Sequence, residues 1–390
     1  MKLNVKWSRQ LGNGANREQF FATNHAVCNA TELYEAGLNG AVETGRWIVV
    51  DKATSNRRSS TIATKNNMPA NRSDISLVGY QQGLNSLGVR MEYAPRKCRM
   101  LSNNQALRSL QCAKKKHLHI IYIGDSNLRM QYKLFDESLE QFLNISNFNM
   151  SSSEFPTIET TRISTYGGLR ETMSNVSEQL AEIRAKHDAR SNHQKEYFIL
   201  FNSGLHDINR RCATPKTERK LDFNTSCTQD YEESLWELLR LLDTFPATLK
   251  VFQSTTAGWP KYGNYGFAWP PSIPQLLPRD PTFVAHFNNA ADRVLSKYNK
   301  KIAAAKTKAG GGSYRSIIPT MDAYWLTLAR PDHRQVDKDN FIGKHLAHAG
   351  PEVYTFLVRK WTMLVLEATC GLGYYALQYE SHPRRIIDKD

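Results

Sequence analysis

The residues best suited to chemistry in this chain lie in the stretch IIYIGDSNLRMQYKLF, where an apolar run from His117 to Ile123 ends in Gly124, Asp125 and Ser126 and a helical pattern follows. A run that is short, continuous and rich in β-branched and aromatic residues reads as a strand buried on both faces. A serine directly after such a strand stands at the carboxyl edge of a sheet, beside a helix N-terminus whose backbone N–H groups can stabilise a developing oxyanion. That is the setting of a nucleophile. The plain alternative is that Asp125 and Ser126 only cap the helix, a common use of both residue types.

The elements that would position this serine come from the same kind of pattern. Glu196 to Asn202 (EYFILFN) and Thr248 to Ser254 (TLKVFQS) read as further buried strands. Leu235, Leu238, Leu239 and Leu242 share one helical face behind an acidic first turn of Asp230, Glu232 and Glu233. Val353, Phe356, Leu357, Trp361, Leu364, Val365 and Ala368 form a second stripe, beginning just after Gly350 and Pro351. Alternating strands and helices predict an α/β fold, a three-layer α/β/α sandwich with a mostly parallel central sheet. Residues 1–95 are poor in periodic apolar pattern, and Asp51 to Asp74 is rich in Ser, Thr, Asn, Lys and Arg. They read as an irregular wrapping extension, with residues 96–390 as the catalytic domain. No internal repeat is visible.

Residues 95 to 135 resemble the catalytic core of the GDSL-like PC-esterase group within the SGNH hydrolases, which includes trichome-birefringence-like polysaccharide O-acetyltransferases and Cas1-type and neurexophilin-related esterase domains. Pro95 and Cys98, then Cys112, then Gly124-Asp125-Ser126 with Arg129 and Gln131, follow that group's order of P-x-x-C, C and GDS-x-x-R-x-Q. Cys28 with Gly45 and Trp47 is similar to its C…G-x-W opening, and Asn202-Ser203-Gly204-Leu205-His206-Asp207 to its N-[ST]-G block. The resemblance implies an SGNH-hydrolase-like fold and a serine acyl-enzyme.

It also implies where the serine's partners stand, since a serine hydroxyl needs a base within reach and a group that orients the base. The group's late D-x-x-H motif falls on Lys344 to Val353, with His348 at the histidine position. His345 stands where the aspartate is expected, a departure from the pattern. The orienting group is then His345 itself, or Asp337 or Asp339 from the preceding loop, or the enzyme works as a dyad; His345 as the base is the nearest rival. Oxyanion donors in such enzymes are the nucleophile's own N–H, a glycine N–H and an asparagine side chain. Here these would be Ser126, Gly168 or Gly167, and Asn202 or Gly204; the glycines serve equally as turn residues. Asp322 and Asp332 with His333 read as supporting or structural. Arg129 is placed at the substrate. The loop TTAGWPKYGNYGFAWPP after the third strand offers Trp259, Tyr262, Tyr265 and Trp269 as aromatic faces for sugar rings, or as a self-packed loop.

Charge and cysteines bound the setting. Lys and Arg outnumber Asp and Glu by 51 to 37, a net charge of +14, which attracts anionic partners. The excess is scattered in short clusters with no nucleic-acid module, so no nucleic-acid partner is expected. The six cysteines, Cys28, Cys98, Cys112, Cys212, Cys227 and Cys370, lack C-x-x-C spacing, so disulfides are expected in place of a metal site. Spacing suggests local staples Cys98–Cys112 and Cys212–Cys227, leaving Cys28 for Cys370, while the sequence leaves all fifteen pairings of six cysteines open. Sequons at Asn29, Asn71, Asn144, Asn149, Asn175 and Asn224 point with them to the secretory lumen, such as the Golgi, or the cell exterior. Met1 to Gly14 lacks the apolar core of a signal peptide, so a leader or membrane anchor would be missing from this chain.

The expected function is serine-dependent O-acyl, chiefly O-acetyl, transfer or hydrolysis on a carbohydrate, with a glycan acceptor, an acyl donor and no cofactor. The alternative is a catalytically silent glycan-binding or scaffold protein of the same fold, which the histidine at position 345 favours.

Overall fold

The computed structural model describes Cys28, Cys98, Ala349 and residues 45–51, 89–95, 100–114, 116–145, 155–188, 195–208, 225–257, 281–308, 317–328 and 351–371. The elements in chain order begin with β1 (Gly45–Asp51), β2 (Val89–Pro95), α1 (Asn103–Ser109), a 3-10 turn (Leu110–Ala113), β3 (His117–Gly124) and α2 (Ser126–Ile145). Next come β4 (Thr157–Ser164), α3 (Leu169–Asp188), β5 (Lys195–Phe201), the single turn α4 (Leu205–Asp207), α5 (Thr225–Asp243) and β6 (Ala247–Gln253). The last are α6 (Pro281–Lys308), β7 (Thr320–Met321), α7 (Tyr324–Leu328) and α8 (Pro351–Cys370).

Five strands form one sheet in the order β4-β3-β5-β6-β7, and every neighbouring pair is parallel. Alternation along each strand sends side chains to two layers of helices. Ile121, Ile123, Ile199, Phe201 and Phe252 pack with Val176 of α3, Leu235 of α5 and Phe287 of α6. Ile120, Tyr122, Phe198, Leu200 and Val251 pack with Leu107 of α1, Phe135 of α2 and Leu357 and Trp361 of α8. A parallel sheet covered on both faces has to be built from such unbroken apolar strands, and the three-layer α/β/α architecture expected from the sequence is what forms.

Strands β1, β2, β4 and the two-residue β7 escaped the pattern reading. β4 (TIETTRIS) is an edge strand, exposed or half-buried except at Ile163, so it needs no continuous apolar run. β1 and β2 pair antiparallel from Gly45↔Pro95 to Asp51↔Val89, a two-stranded sheet among the described residues ahead of position 96. Tyr93 of β2 rests on Phe356 of α8 with ring centroids 4.6 Å apart.

The disulfide pairing corrects the expectation from spacing. Cys28 joins Cys98 and Cys112 joins Cys370. The physical reason is the path of α8, whose end returns beside the start of β3. Lys116, just ahead of that strand, donates to the Thr369 carbonyl at 3.3 Å, which sets Cys370 against the 3-10 turn carrying Cys112. Cys98 is bonded to Cys28, 70 positions earlier. The side chains of Cys212 and Cys227 lie outside the described residues. Among the described residues no helix is long and apolar enough to cross a membrane.

Candidate active site

Ser126 is the first residue of α2 and is partly exposed at the carboxyl edge of the sheet. The helix is capped by Asp125, whose carboxylate accepts the Asn127 N–H at 2.8 Å and whose carbonyl accepts the Arg129 N–H at 3.1 Å. The capping duty that could have explained both residues is therefore filled by Asp125.

Gly124 is dictated by what sits against it. Asn202, directly after β5, donates its main-chain N–H to the Ile123 carbonyl at 3.0 Å. Its amide oxygen accepts the Asp125 N–H at 3.2 Å, and its amide nitrogen faces the Asp125 carboxylate at 3.4 Å. A Cβ at position 124 would overlap that amide oxygen and stand 2.7 Å from Leu128 Cδ1. The tripeptide thus divides its labour: Gly124 makes room for Asn202, Asp125 caps α2 and holds Asn202, and Ser126 is presented beside both.

The three glycines considered as oxyanion donors have positive φ, 110° at Gly167, 113° at Gly168 and 126° at Gly204, a conformation that L side chains rarely adopt. The Gly168 N–H donates to the Thr165 carbonyl at 3.2 Å, and the Gly204 N–H to Asp207 Oδ2 at 3.0 Å. The Gly168 and Gly204 donors are therefore committed in this arrangement. Asp207 also accepts the Leu169 N–H at 2.8 Å, so one buried carboxylate ties the loop after β5 to the start of α3.

His345, His348, Asp337, Asp339, Asp332 and His333 lie outside the described residues, as do Trp259, Tyr262, Tyr265 and Trp269. Ala349, next in sequence to His348, is described and fully buried. Its N–H donates to the Tyr354 hydroxyl at 3.2 Å, and that hydroxyl donates to Asn127 Oδ1 at 2.7 Å. Asn127 follows Ser126. One phenol therefore links the neighbour of the serine to the neighbour of the histidine. Burial pushes the Tyr354 hydroxyl well above its ordinary range and the Asp125 carboxylate adds to this, against the Ala349 N–H and Arg129, so it remains a donor at any working pH.

Asp322, directly after β7, is buried and accepts the Ser254 hydroxyl at 3.1 Å and the Trp325 N–H at 3.2 Å. Burial pushes its carboxyl up to about 6 against the opposing pull of the Lys360 ammonium. Burial likewise pushes Lys360, on α8, down to about 8. Asp322 caps α7 and braces the sheet edge. Among the described residues no group of three or more His, Cys, Asp or Glu is arranged to hold a metal ion.

Asn127, Tyr354 and Asp207 were not singled out by sequence reasoning. The signal available was weak: Tyr354 is a polar-tipped residue on an otherwise apolar stripe, and Asp207 ends the Asn202 block.

No family model matches the chain, and no curated protein matches it. Among solved structures it is similar to the acetylxylan esterase Axe2 of Geobacillus stearothermophilus, at 10% identity and a TM-score of 0.35, over 66% of this chain and 96% of that one.

Proposed function

We propose that the chain is a serine-dependent O-acyl esterase or O-acyltransferase acting on a carbohydrate, O-acetyl groups being the first choice, through an acyl-enzyme on Ser126. The observation that carries this reading is the Tyr354 bridge. It ties Ala349, the residue next in sequence to His348, to Asn127, the residue next to Ser126.

In the proposed reaction His348 takes the Ser126 hydroxyl proton as the serine oxygen attacks the ester carbonyl carbon. The Ser126 N–H and the Asn202 amide, which keeps a second N–H, face the developing oxyanion. The C–O bond to the leaving sugar or donor oxygen then breaks, and His348 returns the proton to that oxygen. Water or a sugar hydroxyl attacks the acyl-enzyme, passing its proton through His348 back to the serine. Esterase and transferase differ only in this acceptor. His345, or Asp339 from the preceding segment, orients the imidazole. Two disulfides favour an oxidising compartment, the secretory lumen or the cell exterior.

The test compares wild type with Ser126→Ala on acetylated xylo-oligosaccharides and 4-nitrophenyl acetate. Loss of turnover supports the assignment; full activity in the variant ends it. The histidine at position 345 favours a second reading, a silent glycan-binding protein, for which the wild type would bind glycans and turn over neither ester.

A further inference from the structure

We propose that Arg129 and Arg162 form a subsite for an anionic group of the substrate, a carboxylate or a phosphate, one helical turn from Ser126. What the subsite serves rests on the reading of Ser126 as nucleophile; its existence does not.

Arg129 follows Ser126 by three residues on α2, a spacing that places the two side chains side by side on the helix surface, and both are partly exposed. Tyr132, one more turn along, rests edge-on against Tyr122 of β3 with centroids 5.7 Å apart. Arg162 is the register partner of Tyr122 on the edge strand β4, so its side chain leaves the same face of the sheet. The helix and the edge strand thus bring two guanidinium groups to one corner of the sheet, on the serine's side.

Among the described residues no carboxylate pairs with either guanidinium. Asp125 turns to Asn127 and Asn202, and Asp136 accepts the Thr160 hydroxyl at 2.8 Å. Arg129 Nε is buried without a hydrogen-bond partner. Burial and then the Arg129 cation depress the Arg162 guanidinium, with the Tyr132 hydroxyl opposing. Two cations held together with no acid between them repel, and an oxyanion shared by both reverses the sign of that interaction. Guanidinium forks match carboxylate and phosphate oxygens in paired hydrogen bonds. A uronate carboxylate on the glycan and a phosphate on the acyl donor are the two sources of such a group.

The test is calorimetric titration of trigalacturonate and of pyrophosphate into Ser126→Ala protein, with and without Arg162→Gln. Ser126→Ala removes turnover, so binding is read independently of catalysis, while the reactivity of wild-type Ser126 reports on the functional reading separately. The expected result is binding of at least one anion, weakened about tenfold or more by Arg162→Gln and only in part by Arg162→Lys, which keeps the charge and loses the fork. Tighter binding of trigalacturonate assigns the anion to the glycan, and tighter binding of pyrophosphate assigns it to the donor. Equal affinity of the two proteins for both anions, or binding of neither, overturns the proposal.

Discussion

Replacing Tyr354 with Phe removes one oxygen and keeps the ring in place. The structure says what that oxygen holds: the Ala349 N–H at 3.2 Å and Asn127 Oδ1 at 2.7 Å, with both residues fully buried. Asn127 Nδ2 already lacks a partner, so the variant leaves that whole side-chain amide without a hydrogen bond. A buried polar group stripped of its partner costs about 1–3 kcal/mol, and two of them give about 2–6 kcal/mol before relaxation. A drop of several degrees in melting temperature follows. The kinetic effect is separate. If this bridge sets the base against the serine, a shift of about 1 Å lowers the rate roughly 10²-fold. The assay is the rate of fluorophosphonate labelling of Ser126 and turnover of 4-nitrophenyl acetate, both well below the melting transition. Stability lost as calculated with labelling and turnover at the wild-type level would refute the reasoning, leaving Tyr354 a purely structural residue.

Gly124→Ala places a methyl group where Asn202 Oδ1 and Leu128 Cδ1 stand; overpacking of this kind costs about 1–3 kcal/mol, and turnover should fall more than the denaturation midpoint implies, because Asn202 must move. His119 is buried, accepts or donates at Thr161 over 2.8 Å, and is pushed from 6.5 down to about 4 by burial, with Glu159 opposing and Lys195 and His117 adding. The unfolded chain then binds a proton that the folded one refuses, so this contribution is complete above pH 6.5 and is lost as pH falls towards 4, by up to about 3 kcal/mol. Urea midpoints across that range should fall with acid more steeply in wild type than in His119→Gln. The Cys112–Cys370 bridge spans a sequence separation of 258, and the double Ser variant should lose about 2–5 kcal/mol, read as a lower melting temperature that reductant does not lower further at this bond.

The sheet was legible where burial on both faces forces a continuous apolar run, as in β3, β5 and β6. It was illegible at β4, because an edge strand with one open side can carry Thr, Glu and Arg, and at β1 and β2, whose pairing is set by partners far along the chain. The disulfides were misread for a related reason: short spacing favours Cys98 with Cys112, but the returning path of α8 decides, and no local pattern encodes it. At the site, the strand-to-helix junction that carries Ser126 was legible. The reason for Gly124 needed Asn202 in three dimensions, and the tie from Asn127 through Tyr354 to Ala349 joins residues more than 200 positions apart. Arg162 stood in the same blind spot, a charged residue on a strand whose register partner had to be known first.

The most direct measurement of the central claim is peptide mass spectrometry after brief exposure to 4-nitrophenyl acetate and an acid quench. The account predicts one acetyl group on the peptide carrying Ser126, absent in Ser126→Ala and strongly reduced in His348→Ala. An acetyl group confined to other residues, or no covalent intermediate while turnover proceeds, would contradict it.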